Sequence, residues 1–69
     1  MSTQRGEFTE REMQIIPLVA EGMGNAEIGE RLFMATATVR DYMTTIMRKA
    51  GVCNRTHLVT IAFRKGWIQ

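Results

Sequence analysis

Apolar residues recur every three or four positions in four separate stretches of this 69-residue chain. That spacing is typical of helices that bury one face. Capping residues and glycines bound the stretches, as expected at the ends of helices. The pattern therefore predicts an all-α fold, a compact domain of four helices.

The first predicted helix begins at a capping box. Thr9 can accept a hydrogen bond from the backbone N–H of Glu12, whose carboxylate can reach back to the N–H of Thr9. Gly22 suits the left-handed conformation that ends a helix. Pro17 predicts a bend, because proline lacks a backbone donor for the helix. The expected buried face consists of Ile15, Ile16, Val19 and Ala20.

A short second helix is predicted from Ala26 to about Phe33, with Asn25 as its N-cap and Ile28, Leu32 and Phe33 facing inward. Gly29 lies within it at a cost in helix stability, so we expect another backbone to approach closely there. The third helix follows after only a few residues. Two helices joined by so short a link form a helix-turn-helix arrangement.

The third predicted helix, within residues 38–52, has two contrasting faces. Its apolar face consists of Val39, Met43, Ile46 and Ala50. The opposite face is uncrowded and consists of Ala37, Arg40, Asp41, Thr44, Thr45 and Arg48. In the major groove of DNA, Arg can donate two hydrogen bonds to guanine, and Thr can contact a base edge or a thymine methyl. An ordinary solvated helix face would have a similar composition.

Gly51 ends the third helix, and Asn54 caps a fourth that is predicted to run to Lys65. One apolar strip of this helix consists of Leu58, Ile61 and Ala62. Just beyond the helix, Trp67 and Ile68 are expected to fold back onto the core.

A second apolar strip, Val59 and Phe63, lies beside the first one. It can either pack into the domain's own core or form a contact between two copies of the chain. The pattern leaves both interpretations open.

Charge divides the chain into two halves. Residues 1–39 carry a net charge of −3 and residues 40–69 a net charge of +5, which gives +2 overall. Such asymmetry favours a nucleic-acid partner or an acidic surface. Cys53 is the only cysteine and His57 the only histidine, so neither a nucleophilic dyad nor a metal site is expected. We predict no enzymatic activity, no cofactor and no metal.

No segment resembles a signal peptide, and no apolar run approaches the roughly 20 residues of a membrane span. A soluble, cytoplasmic protein is therefore expected. Residues 1–7 are polar and aperiodic, which predicts a flexible N-terminal tail before a domain over residues 8–69. Whether the chain is freestanding or a piece of a larger regulator stays open.

Short motifs follow one another along the chain with a specific order and spacing. They are Phe8-Thr9-x-Arg11-Glu12, Ala20-x-Gly22-x-x-Asn25-x-Glu27-Ile28, Thr38-Val39-Arg40, Ile46-x-x-Lys49, Gly51-Val52-x-Asn54-Arg55-Thr56, and Ala62 before Gly66. Together they resemble the LuxR/GerE type of DNA-binding domain, found at the C-terminus of NarL/FixJ response regulators. The promoter-binding domain of sigma factors shares the first three helices, but it is not expected to carry the motif that begins at Gly51.

This resemblance implies a sequence-specific, double-stranded DNA-binding transcription regulator that acts as a homodimer, with the third helix in the major groove. The base contacts it implies are those of Arg40, Asp41 and Thr44. The candidates for phosphate contacts are Thr36, Thr38, Arg48, Lys49, Arg55 and Thr56. The candidates for dimerisation are Val52, Val59 and Phe63.

Some residues depart from the family pattern. Asp41 repels phosphate and can accept from cytosine N4, so it can specify cytosine, lower the affinity for most sequences, or pair with Arg40 or Arg48. Tyr42 stands where His is usual. Ala35 replaces the usual capping Ser, which leaves Thr36 as the expected substitute cap.

An alternative function follows from the low net charge and from Asp41. A domain of the same fold could serve as a protein-interaction module that binds a transcription regulator or RNA polymerase. Binding that persists at a salt concentration sufficient to strip DNA would distinguish this alternative.

Overall fold

Four helices follow one another in the predicted order in this computed structural model, which describes residues 7–68. They are α1 (Glu10–Ala20), α2 (Asn25–Leu32), α3 (Thr36–Ala50) and α4 (Arg55–Arg64). Within the described range no strand is present. The all-α, four-helix prediction is confirmed. The predicted tail lies outside the described residues, apart from Glu7.

Helix α1 begins at the predicted capping box. The backbone N–H of Glu12 donates to Thr9 Oγ1 at 3.1 Å, and the N–H of Thr9 donates to Glu12 Oε1 at 2.8 Å. The helix includes Pro17 without interruption and ends at Ala20, while the bend at Pro17 stays a prediction. Gly22 has the expected left-handed conformation, with a φ of 91°.

Helix α2 differs from the sequence prediction at both ends. Its N-cap is Gly24, and Asn25 is the first helical residue. The predicted Asn25 cap is wrong, because the side-chain oxygen of Asn25 accepts a hydrogen bond from Arg55 at 2.7 Å. At the other end Phe33 is the C-cap, with a φ of 60°. Its side chain is 95% exposed, so the expectation that Phe33 faces inward is also wrong.

Gly29 packs against the turn between α2 and α3. A β-carbon at this position would collide with the backbone carbonyl of Met34. The N–H of Met34 also donates to the carbonyl of Gly29 at 2.7 Å. The predicted close approach of another backbone is confirmed, and it places the start of α3 tightly against α2.

Helix α3 begins without a side-chain cap. Ala35 has the extended conformation of an N-cap, with a φ of −65° and a ψ of 146°. Thr36 is already helical, so the prediction that Thr36 substitutes for the capping Ser is wrong. The helix ends at the predicted Gly51, whose φ is 73°. Helix α4 is capped by Asn54 as predicted, with His57 N donating to its side chain at 2.8 Å.

The four helices enclose one apolar core. Trp67 and Ile68 are 6% and 9% exposed, which confirms that these two residues fold back onto the core. The Trp67 ring packs edge to face against Phe8, with 4.8 Å between the ring centroids. The core residues are Phe8, Ile15, Ile16, Leu18, Val19, Ile28, Val39, Met43, Ile46, Val52, Leu58, Ala62, Trp67 and Ile68.

Two features of the described residues bear on functions other than nucleic-acid binding. No helix of the described part of the chain is long and apolar enough to cross a lipid bilayer. Between residues 7 and 68, no three or more His, Cys, Asp or Glu side chains come together as a potential metal site.

Candidate nucleic-acid interface

Helix α3 presents an exposed polar strip, defined here as Arg40, Asp41, Thr44 and Arg48. The opposite side of the helix is buried and consists of Val39, Met43 and Ile46. Residues four apart lie on the same side of a helix, so Arg40, Thr44 and Arg48 form a row over two turns. The core therefore holds α3 with this strip facing outward, and the three predicted base-contacting residues lie together on it.

The hydroxyl group of Thr44 already makes one hydrogen bond within α3. Its hydroxyl donates to the backbone carbonyl of Arg40 at 3.2 Å. The oxygen retains its lone pairs, so in this conformation Thr44 offers an acceptor and a methyl group to a partner. Such an acceptor suits the amino groups of adenine or cytosine in the major groove.

Asp41 lies on the side of the strip that faces the start of α1. With Thr38, Tyr42 and Thr45 it lines a shallow depression of about 190 Å³ beside Glu12. The salt bridge found among residues 7–68 joins Lys49 to Glu12, so Asp41 is not paired with Arg40 or Arg48 in this structure. Its carboxylate is exposed and available to a partner.

The start of α3 is a second polar feature. Thr36 and Thr38 are exposed in the first turn, and Ala35 provides no side-chain acceptor for the backbone N–H groups there. Unsatisfied N–H groups and the helix dipole favour an anion at such a position.

Lys49 points away from the strip and toward α1. Its Nζ lies 2.8 Å from Glu12 Oε1 and 5.8 Å from the centroid of the Phe8 ring. Glu12 is only 3% exposed. Burial raises the pKa of Glu12, but the hydrogen bonds from Lys49 and Thr9 and the charge of Lys49 outweigh it, so the net pKa is lowered. The carboxylate of Glu12 therefore remains ionised at neutral pH.

Arg55 is also engaged within the domain. Its guanidinium donates to Asn25 Oδ1 at 2.7 Å and to the carbonyl of Met23 at 2.6 Å. It thus ties the start of α4 to the turn between α1 and α2. Of the six predicted phosphate-contacting residues, all but Arg55 are exposed. Lys49 and Arg55 have partners inside the domain, whereas none of the hydrogen bonds or salt bridges found among residues 7–68 involves the side chains of Thr36, Thr38, Arg48 or Thr56.

The sequence analysis did not predict these two internal contacts. Lys49 and Glu12 are 37 residues apart along the chain, and Arg55 and Asn25 are 30 apart. Helical periodicity assigns a residue to a face but does not show which distant residue meets it. No local signal marked either pair.

The predicted dimerisation residues differ in exposure. Phe63 is 53% exposed, Val59 is half-buried, and Val52 is 9% exposed within the core. Phe63 stands at the rim of a groove of about 340 Å³ between the ends of α1 and α4. The other residues lining this groove are Pro17, Ala20, Glu21, Trp67 and Ile68.

Comparison with known proteins agrees with this geometry. Residues 7–62 match the family described as bacterial regulatory proteins of the luxR family. The chain belongs to this family. Its α2 and α3 are the helix-turn-helix, and the LuxR-family domain is a DNA-binding domain of the transcription-regulator type.

Two relatives show the same relationship in sequence and in structure. The oxygen regulatory protein NreC of Staphylococcus aureus strain JH9 is 44% identical over 58 residues, which are 84% of this chain and 27% of NreC. The crystal structure of the response regulator ChrA, from a heme-sensing two-component system, superposes with a TM-score of 0.83 at 33% identity. That match covers 87% of this chain and 30% of ChrA. The chain thus spans less than a third of the length of either protein.

Proposed function

We propose that this LuxR-family domain binds double-stranded DNA in a sequence-specific manner as a homodimer, with α3 in the major groove. The observation that carries this proposal is the exposed strip of α3 opposite a fully buried face. A helix held in this way can enter the groove without unfolding its own core. Binding needs neither catalysis nor a cofactor, and a chromosomal partner implies a cytoplasmic site of action.

Three side chains of the strip are proposed to contact bases. Arg40 is suited to donate to guanine N7 and O6, and Thr44 offers an acceptor to an amino group. Asp41 carries an exposed carboxylate that forms no salt bridge with any of residues 7–68, which supports its assignment to cytosine N4. The proposed site therefore contains C and G positions near each other in each half.

Phosphate contacts are proposed to flank the strip. Thr36 and Thr38 stand at the uncapped start of α3, Arg48 extends the row of Arg40 and Thr44, and Thr56 is exposed in the first turn of α4. Contacts of this kind set the register of the protein on the duplex without specifying sequence.

The dimer contact is proposed to centre on Phe63 and Val59 of α4. Phe63 is one of two large apolar residues exposed on the described surface, the other being Phe33. Val52 contributes little additional area, because it is 9% exposed before any association. A twofold dimer requires an inverted repeat, with its half-sites about one helical turn apart.

Selection of bound duplexes from a random DNA pool, at near-physiological salt, tests the proposal. We expect an inverted repeat with about ten base pairs between half-site centres. On that site Arg40→Ala should cost about 1–3 kcal/mol. Arg64→Ala, which removes an exposed arginine from α4, is the matched control and should retain the sequence preference. Recovery of no motif would contradict the proposal.

A protein partner is the second candidate, and the 95% exposure of Phe33 favours it. For this candidate, a defined partner such as RNA polymerase should bind at a salt concentration that abolishes DNA binding, and Phe33→Ala should weaken that complex. If the domain selects a DNA motif and does not bind the polymerase, RNA polymerase is ruled out as the partner.

A further inference from the structure

Arg48 and Lys49 are adjacent cations in the last turn of α3, but their side chains lie on different sides of the helix. Consecutive residues of a helix are about 100° apart around its axis. Arg48 is exposed on the strip with Arg40 and Thr44. Lys49 instead places its Nζ 2.8 Å from the carboxylate of Glu12 in α1.

The environment of Glu12 strongly favours the observed position of Lys49. The carboxylate is 3% exposed, and its Oε1 also accepts from the N–H of Thr9 at 2.8 Å. A buried carboxylate without a cation is strongly disfavoured. The Phe8 ring near Nζ adds a favourable cation–π contact. Moving Lys49 to a DNA phosphate would break the ion pair and the cation–π contact in exchange for one contact at a solvated surface.

The location of the pair also matters for α3. The bond joins the last turn of α3 to the first turn of α1, while Gly29 and Met34 fix the other end of α3 against α2. The residues proposed to contact bases lie between these two attachments. The direction of α3 therefore depends on both ends being held.

We propose that Lys49 is a positioning residue of the DNA-binding surface: its ion pair with Glu12 sets the direction of α3, and its charge is not used on a phosphate. This inference rests on the proposed function. Base contacts require close geometry, whereas phosphate contacts supply most of the non-specific affinity. Loss of the pair should therefore lower the affinity for the selected duplex more than the affinity for a random duplex.

The test measures binding of wild type, Glu12→Gln, Lys49→Met and the double variant to the selected and a scrambled duplex over a range of salt concentrations. The double variant keeps the net charge of +2 and retains an acceptor for the N–H of Thr9, which guards against misfolding of a single variant. Circular dichroism confirms that each protein is folded at the temperature used. Arg48→Met is the matched control for a phosphate contact.

If Lys49 is a positioning residue, each single variant lowers the ratio of specific to non-specific affinity several-fold. The double variant should be no worse than either single variant, because both changes remove the same bond. Lys49→Met should leave the slope of log affinity against log salt unchanged relative to wild type, because Lys49 is paired with Glu12 and releases no counterion from the DNA. Arg48→Met should reduce that slope by about 0.9 relative to wild type.

Two results would overturn the inference. A slope reduced by about 0.9 between wild type and Lys49→Met, with equal losses on both duplexes, would show that Lys49 contacts a phosphate. An unchanged affinity ratio in the folded variants would show that the pair only stabilises the fold. Failure of the proposed function is a different outcome, because wild type itself would then bind the selected and the scrambled duplex equally well. In that case the positioning role of Lys49 would also be wrong.

Discussion

Phe33 combines two unfavourable features at one residue. It is the only non-glycine residue with a positive φ among residues 7–68, and its side chain is 95% exposed. A residue with a β-carbon in the left-handed region costs about 1–2 kcal/mol relative to the right-handed one. Burial of the phenyl ring does not compensate for this cost, because the ring is exposed.

We expect Phe33→Gly to be more stable than Phe33→Ala by about 1 kcal/mol in the free energy of unfolding. Both variants remove the same exposed ring, so their difference isolates the backbone effect. Urea unfolding followed by circular dichroism measures it. Equal stabilities would mean that the left-handed conformation at this position carries no strain.

At the scale of elements, the helix-turn-helix is held by polar contacts as well as by the core. Arg55 joins the start of α4 to Asn25 and to the carbonyl of Met23 through two different nitrogens. Because α2 begins at Asn25, this contact fixes the helix against which α3 packs. Guanidinium is suited to the task, since its nitrogens diverge in a rigid plane.

Arg55→Lys should therefore destabilise the domain by about 1–2 kcal/mol, because a single ammonium group cannot reproduce both hydrogen bonds with the same geometry. Arg64→Lys is the matched control on the same helix, and as an exposed substitution it should change stability by less than about 0.5 kcal/mol. Thermal and urea unfolding provide the measurements. Similar values for the two variants would assign Arg55 no structural role.

The sequence predicted those elements whose signals are local. The capping box of Thr9 and Glu12, the Asn54 cap and the glycine ends of α1 and α3 are confirmed because their partners lie within a few residues. The Asn25 cap is wrong because its acceptor is taken by Arg55, 30 residues away. Periodicity likewise placed the exposed strip of α3 correctly, yet could not show that Lys49 would meet Glu12.

For the molecule as a whole, size makes such contacts important. A domain of about 60–70 residues buries only about 60% of the surface that its unfolded chain exposes, so its margin of stability is small. Glu12 is the only buried charged residue in the described part of the chain. Its partners are Lys49 from α3 and the N–H of Thr9, so its ionisation links pH to the stability of the entire domain.

The pKa of Glu12 is lowered in the folded state. A lowered pKa means that the stabilisation is complete above the unfolded value of about 4.3 and is lost as pH falls through the lower folded value. We expect the melting temperature of wild type to decrease below about pH 5. At pH 7, Glu12→Gln should have a lower melting temperature than wild type, and its melting temperature should decrease less on acidification. Glu10→Gln, at an exposed position, should show the same pH dependence as wild type. Parallel curves for Glu12→Gln and wild type would contradict this prediction.

The proposed homodimer is tested at the scale of the whole molecule, and Phe63 gives the most direct test. Phe63→Glu places a charge on the strip with Val59, so it should abolish self-association and cooperative binding to the inverted repeat while preserving binding to a single half-site. His57→Glu adds the same charge at an exposed position 120° away on α4 by helical geometry, and should leave both intact. Sedimentation with and without duplex measures the outcome. The homodimer is ruled out if wild type and Phe63→Glu give the same two results: each sediments as a monomer without DNA, and each binds the duplex as a single chain. DNA recognition would then rest on one copy of α3 and the contacts that hold it.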